Sequence, residues 1–371
     1  MRYVKKIKFG LLLVCMLIIF TGNTALAAEY TVQPVNGTLY TGEGAEIFSE
    51  PEASSMVAVF PGDFPVQITG MTDNGFFQIN FNGATFYIYG KALSSSTGTQ
   101  AYKLTEIDAK AALVGNADSG ELIYTQNAMD RLAPASTTKI LTALLVIEAI
   151  EAGQIALDTP VVVSASALAG VPKDASHVSP RLKEGEVMNV FTLLQCVLIK
   201  SDCHACNVLA ELIDGSVDAF VARMNARAKI LGCTETNFVN TSGYPDENHY
   251  TNAHSLFLIT KEAMKHPIFQ AIVAMPEAVI PATNLSGERK IENTNLLIRE
   301  TEYYNPYVLG GKTGTSSSSG SCFVGVARNG KKTVITVILG AKTSTMSDGT
   351  KQKQQFSETN KLIQMGLAGT Y

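Results

Sequence analysis

Several things this 371-residue chain does not have narrow what it can be. It has little material for crossing a membrane. The apolar core Leu11–Phe20 is only about ten residues long, too short to span a bilayer easily. That core follows Arg2, Lys5, Lys6 and Lys8 and precedes Ala25-Leu26-Ala27. A positive segment, a short apolar core and a small-x-small site read as a signal peptide over residues 1–27, with an uncleaved anchor helix as the alternative. An exported, extracytoplasmic protein is therefore expected. There is no excess of positive charge either. Removing those four basic residues leaves 25 basic against 33 acidic ones, a net charge of −8. A mildly acidic chain argues against nucleic acid as partner and against charge-driven binding to an anionic membrane.

Cysteine is sparse and odd in number after residue 27: Cys196, Cys203, Cys206, Cys233 and Cys322. An odd set spread through a long chain is not a disulfide framework. Cys203-His204-Ala205-Cys206 has the spacing of half a zinc site or of a redox pair. No second Cys/His pair with ligand spacing follows, so packed thiols are expected rather than a metal. No organic cofactor is implied.

What is present divides into two regions. Val57–Phe60, Val66–Ile68, Phe76–Phe81 and Phe86–Tyr89 read as short strands, separated by Pro61-Gly62-Asp63, Asp73-Asn74-Gly75 and Asn82-Gly83-Ala84. Short apolar runs punctuated by such turn signals predict a small β-barrel over residues 28–93. Ser94–Thr99 reads as a flexible linker, placed at residues 94–101. From residue 102 to 371 the pattern changes. A hairpin is expected over residues 111–124, helices over 190–199 and 217–231, a second hairpin over 322–339 and a closing helix over 357–367. Strands at both ends with helices between predict an α+β domain.

Within that domain, Pro134-Ala135-Ser136-Thr137-Thr138-Lys139 runs directly into Ile140–Ile147, which is apolar nearly all round. Serine is a weak nucleophile and needs a base within hydrogen-bond reach. Residues three apart share a helix face, so the Lys139 amine can reach the Ser136 hydroxyl. Burial of the helix would lower the lysine pKa toward a value where some amine is unprotonated. The plain alternative is an N-cap serine beside a solvated lysine. Further on, Gly310-Gly311-Lys312-Thr313-Gly314-Thr315 is no phosphate loop, because Pro306 stands where that motif needs glycine. On a strand, Lys312 and Thr313 suit a carboxylate and Gly314 lets a ligand backbone come close. A surface lysine in a solvated turn is the alternative there.

The order Ser136-x-x-Lys139, then Ser201, then Lys312-Thr313-Gly314 resembles the penicillin-binding proteins and serine β-lactamases. Within that group it is most similar to the low-molecular-weight D-alanyl-D-alanine carboxypeptidases. Phe238-Val239-Asn240-Thr241-Ser242-Gly243, His249–Ala253 and Asn293–Leu297 share in the likeness, which covers about residues 102–371. The resemblance implies a penicillin-binding protein/β-lactamase-like domain, an antiparallel sheet with helices plus a helical subdomain. It makes Ser136 the acylated nucleophile, Lys139 its base and Ser201 the proton relay to the leaving D-alanine. It assigns Lys312 and Thr313 to the substrate carboxylate, and the amides of Ser136 and Thr315, beyond Gly314, to the oxyanion hole. A peptidoglycan stem peptide ending in D-Ala-D-Ala would be the substrate, and β-lactams would acylate the same serine. The residues before 94 resemble a bacterial SH3-type domain in pattern and position, which implies contact with cell wall or protein, or a spacer. Because the sequence stops at Tyr371, soon after the closing helix, an enzyme held by that barrel or released is expected.

One motif departs from the family pattern. Ser201-Asp202-Cys203 stands where Ser-x-Asn is usual. An amide donates and accepts hydrogen bonds, whereas a thiol at Cys203 is weak at both. That change puts substrate positioning in doubt and leaves three outcomes open. One is a carboxypeptidase. Another is a transpeptidase favouring an amine over water, or a β-lactamase, although no glutamate motif of the class A type is evident. The third is an inactive wall-binding or sensory protein on the same scaffold. Asn207 is a candidate substitute for the missing amide, but six residues on it is expected to lie on another face.

Overall fold

The computed structural model describes residues 30–41, 45–60, 65–81, 84–94, 107–345 and 351–367. The expected signal peptide and nearly all of the expected linker lie outside them. Two compact units divide between residues 106 and 107.

The first unit is all β. Its strands are β1 (Val32–Thr41), β2 (Ala45–Phe48), β3 (Met56–Phe60), β4 (Pro65–Thr72), β5 (Phe76–Phe81), β6 (Ala84–Tyr89) and β7 (Leu93–Ser94). They form one seven-stranded sheet in the order β3-β2-β6-β5-β4-β1-β7, antiparallel at each pairing. Val35, Ile47, Val66, Ile68, Ile79 and Ile88 make its core. Each such side chain contributes about 1.5–3 kcal/mol on full burial. Strands β1 and β2 are additions to the sequence expectation. Pro34 and Asn36-Gly37 read as turn residues, yet a register shift between Pro34 and Gly37 absorbs them in a bulge without ending the strand.

The second unit is the expected α+β domain. β8 (Ala111–Asn116), β9 (Leu122–Gln126), β14 (Val308–Ser316), β15 (Gly320–Asn329) and β16 (Lys332–Ala341) form a five-stranded sheet in the order β14-β15-β16-β8-β9. The short strands β10 (Pro160–Val162) and β11 (Val187–Asn189) pair with each other, as do β12 (Glu277–Ile280) and β13 (Arg289–Glu292). Sequence-distant ends thus meet, since β8 completes the sheet begun by the C-terminal hairpin. β16 is buried at nearly every position, so both faces of the sheet are covered.

Eight helices serve this unit among the described residues: α1 (Lys139–Glu151), α2 (Ala165–Leu168), α3 (Val190–Gln195), α4 (Cys203–Asp214), α5 (Val217–Ile230), α6 (Ala253–Ala263), α7 (Pro267–Val273) and α8 (Gln354–Leu367). α6 and α8 pack on the sheet, while α1 packs against α4, α6 and α7. The sequence KILTALLVIEAIE explains the central place of α1: ten of its thirteen residues are buried, Lys139 among them. A helix apolar all round is stable only when surrounded.

Candidate active site

Ser136 sits in a tight turn, Ala135–Thr138, that leads into α1 rather than in the α-helix itself. Ala135 holds a left-handed φ of 48°, an uncommon conformation for a residue with a Cβ. Side-chain hydrogen bonds secure the turn: Thr137 Oγ1 donates to Pro134 O at 2.8 Å and Thr138 Oγ1 to Ala135 O at 2.9 Å. Behind them stands His249, its Nε2 2.9 Å from Thr138 Oγ1 and its Nδ1 accepting from Val239 N–H at 3.2 Å. Burial pushes the His249 pKa down to about 4, so the ring is neutral near pH 7. With Nδ1 accepting and Thr138 donating elsewhere, the ring proton sits on Nε2.

One turn on, Lys139 is completely buried. Its Nζ lies 2.9 Å from Ser136 Oγ, 2.7 Å from Ser242 O and 3.5 Å from Cys203 Sγ. Amine and hydroxyl therefore share a part-buried hydrogen bond, in the geometry an activated nucleophile requires. The Ser242 carbonyl is aimed by Asn240, whose Oδ1 accepts from the amides of Ser242, Gly243 and Tyr244 at 3.1, 2.7 and 3.1 Å. Gly243 allows this turn to lie against the serine turn. A Cβ there would stand 1.8 Å from Ala135 O.

The second pair comes from the loop before α4. α3 ends in a wide π-type turn over Cys196–Lys200, and Ser201 turns the chain with a left-handed φ of 68°. Asp202 fixes that corner: its carboxylate accepts from Val178 N–H at 2.6 Å and caps α4 through Ala205 N–H at 2.8 Å. Ser201 Oγ then meets Lys312 Nζ at 3.0 Å. Lys312 reaches it from β14, where the ammonium also donates to Thr313 O at 3.0 Å. Burial, followed by the charge of Lys139, pulls the Lys312 pKa down to about 7. Thr313 Oγ1 shares a hydrogen bond with Thr294 Oγ1 at 2.5 Å. A Cβ on Gly314 would come within 2.9 Å of both Pro134 O and Ser136 N, so glycine is what brings the strand up to the nucleophile's amide. Thr315, next along β14, is exposed and pairs with Ser321.

Ser136, Lys139, Ser201 and Lys312 thus form two serine–lysine pairs, with Cys203 touching Lys139. Asn207 does not join them. Its Oδ1 accepts from Thr241 Oγ1 at 2.6 Å and its Nδ2 donates to Ala167 O at 3.2 Å, both structural contacts. All five cysteines described are buried free thiols. Cys206 Sγ donates to Asp202 O at 3.2 Å, and burial raises its pKa. Among the described residues, one group has metal-ligand spacing, Glu148, Glu262 and His266. Arg227 bridges its two carboxylates at 2.6 and 3.1 Å, while His266 pairs through Nδ1 with Glu151 at 2.9 Å and its buried Nε2 has no hydrogen-bond partner among the described residues.

The family model described as D-alanyl-D-alanine carboxypeptidase matches residues 96–343, well over half of the chain. The chain belongs to this family. It is 33% identical to the Bacillus subtilis carboxypeptidase DacF over 68% of this chain and 62% of that one, so it spans less than two thirds of that relative's length. Among solved structures, a D-alanyl-D-alanine carboxypeptidase from Mycobacterium tuberculosis superposes with a TM-score of 0.60 at 28% identity, covering 70% of this chain and 91% of that one. A Streptomyces DD-transpeptidase does so with a TM-score of 0.62 at 27% identity, covering 71% and 98%.

Proposed function

We propose that this member of the D-alanyl-D-alanine carboxypeptidase family is a serine-type carboxypeptidase that removes the terminal D-alanine from peptidoglycan stem peptides. The observation that carries this reading is the meeting of the Ser136–Lys139 and Ser201–Lys312 pairs at one centre. Lys139 takes the Ser136 proton as Oγ attacks the penultimate D-Ala carbonyl. The Ser136 and Thr315 amides receive the oxyanion. Ser201, between Lys312 and the leaving group, relays a proton to the departing amine. Lys312 and Thr313 hold the terminal carboxylate. Water then hydrolyses the ester on Ser136. β-Lactams enter the first half of this cycle as covalent inhibitors. The reading includes export by residues 1–27, a cell-wall location and an SH3-like role for the N-terminal unit in wall contact, with residues 102–371 as the catalytic domain.

The thiol at Cys203 supports a second reading, transfer to an amine in place of hydrolysis. One Streptomyces relative is named both a D-alanyl-D-alanine carboxypeptidase and a DD-transpeptidase. Incubation with fluorescent penicillin and diacetyl-Lys-D-Ala-D-Ala separates the outcomes. Labelling with D-alanine release is expected. Labelling with transfer to added amine but no net hydrolysis would favour the second reading, and no labelling would contradict both. Cys203→Asn restores an amide beside Lys139. It is expected to raise hydrolysis relative to transfer by about tenfold, what one hydrogen bond to a charged group is worth. Unchanged partitioning would mean the position does not govern the acceptor.

A pH dependence follows from Lys312. Its ammonium form falls away above about pH 7 in the empty site, and holding a carboxylate requires that form. The kcat/KM for diacetyl-Lys-D-Ala-D-Ala should therefore drop about tenfold per pH unit well above that value. The C-terminally amidated peptide, with no carboxylate to hold, should lack this limb. Two superimposable profiles would remove Lys312 from that role.

A further inference from the structure

Away from the reactive centre, His266 follows α6, and its Nδ1 meets both carboxylate oxygens of Glu151 at 2.9 Å. A carboxylate only accepts, so Nδ1 carries the proton and, in the neutral ring, Nε2 carries the lone pair. Nε2 is buried and makes no hydrogen bond among the described residues, an unfavourable state for a polar atom. It lies within 4.8 Å of one carboxylate oxygen of Glu148, on α1, and one of Glu262, on α6. Those two oxygens are equally close to each other. Arg227 does not saturate them. Its Nε and Nη2 hold Glu148 Oε1 at 2.9 and 2.6 Å, but Glu148 Oε2 stands 3.3 Å from Nε. Glu262 Oε2 goes to the exposed Lys265 at 2.6 Å, and its Oε1 meets Arg227 at 3.1 Å. Each carboxylate thus keeps one tightly paired oxygen and one loosely held. With Glu151 included, three carboxylates face one arginine and one lysine, which leaves one negative charge in excess.

We propose that Glu148, Glu262 and His266 bind a divalent transition-metal ion, zinc by the chemistry of the donors, which ties the end of α1 to the junction of α6 and α7. An imidazole with carboxylates suits zinc, whereas magnesium takes oxygen ligands throughout. Atoms bound at about 2.1 Å to one ion stand at most ~4.2 Å apart, so shifts of under about 1 Å close the set. Solvent completes the shell. Glu151 is a positioning residue: a carboxylate on the far nitrogen of a ligating imidazole fixes its tautomer and its orientation. Arg227 stays on Glu148 Oε1 and offsets part of the carboxylate charge, which holds the affinity to the micromolar range. The ion acts on stability and not on the chemistry of Ser136, since Glu148 is about 13 Å along α1 from Lys139.

The test is calorimetry and thermal melting of the full-length, untagged protein, stripped with EDTA and titrated at pH 7 with zinc chloride or magnesium chloride. One zinc per chain and no magnesium are expected, with Tm raised roughly 5 °C at a hundredfold excess over the Kd. His266→Gln should remove both the binding and the Tm shift. Glu151→Gln, at an exposed side chain, should weaken binding about tenfold and leave the metal-free Tm little changed. Cobalt(II) reports the ligand type. Weak visible bands with no thiolate charge-transfer band are expected, which separates these residues from the buried cysteines. An absence of zinc binding, an equal response to magnesium, binding that survives His266→Gln, or a thiolate band would each overturn the assignment.

Discussion

Replacing Lys139 with methionine should slow acylation of Ser136 by benzylpenicillin about a thousandfold, the scale of a positioned general base. The argument is local. Lys139 Nζ is 2.9 Å from the nucleophilic oxygen. Its remaining contacts, the Ser242 carbonyl at 2.7 Å and the Cys203 sulfur at 3.5 Å, do not offer a base of comparable strength. Lys312 is placed elsewhere: its Nζ hydrogen-bonds Ser201 Oγ and Thr313 O instead of the Ser136 hydroxyl. Methionine fills most of the same buried volume. The fold should survive, at the cost of leaving the Ser242 carbonyl without its donor, about 1–3 kcal/mol. Stopped-flow or quenched labelling gives the rate, and thermal melting checks the fold. A folded variant acylated within fivefold of the wild-type rate would show that Lys139 is not the base.

The second large effect is at Gly243. Its φ of 77° already disfavours any side chain, and a Cβ would stand 1.8 Å from Ala135 O and 2.8 Å from Thr138 Oγ1. Those two atoms belong to the turn that carries Ser136, which itself is held in a left-handed conformation at Ala135. Neither backbone can yield without moving the nucleophile. Gly243→Ala should lower stability by about 2–4 kcal/mol and penicillin acylation by roughly a hundredfold. Gly215→Ala is the control. It has a similar φ of 74° at the end of α4 but nothing within 4 Å, so about 1 kcal/mol and unchanged acylation are expected. Denaturant melts and labelling rates on both variants give the comparison. Equal losses at the two glycines would mean that the close approach to Ala135 has no consequence.

The parts of the site that sequence made legible are those whose chemistry resides in side chains at short spacing. Ser136 and Lys139 one turn apart, and Lys312-Thr313-Gly314 on a strand beside a hairpin, needed no tertiary knowledge. The C-terminal hairpin and α8 were equally plain, since strand alternation and turn residues are local signals. What escaped was backbone chemistry and what the fold brings from afar. The Ser242 carbonyl that holds Lys139 has no side-chain signature. Asn240, which aims it, lies in a stretch that shares the family likeness, but nothing in the sequence assigns it that role. Thr294 and His249 act only because the fold delivers them to Thr313 and Thr138. Ser136 was expected in the helix, but the left-handed Ala135 sets it one turn ahead of α1. The isolation of Asn207 rests on Thr241, thirty-four residues away, a contact that spacing within α4 does not reveal.

The central claim is that Ser136, activated by Lys139 at a centre shared with Ser201 and Lys312, forms the acyl-enzyme. Intact-protein mass spectrometry after exposure to benzylpenicillin, followed by peptide mapping, tests it most directly. One added penicillin per chain, located on the peptide containing Ser136 and missing from Ser136→Ala, is the predicted result. An unchanged mass in the wild type, or a label on any other residue, would contradict it.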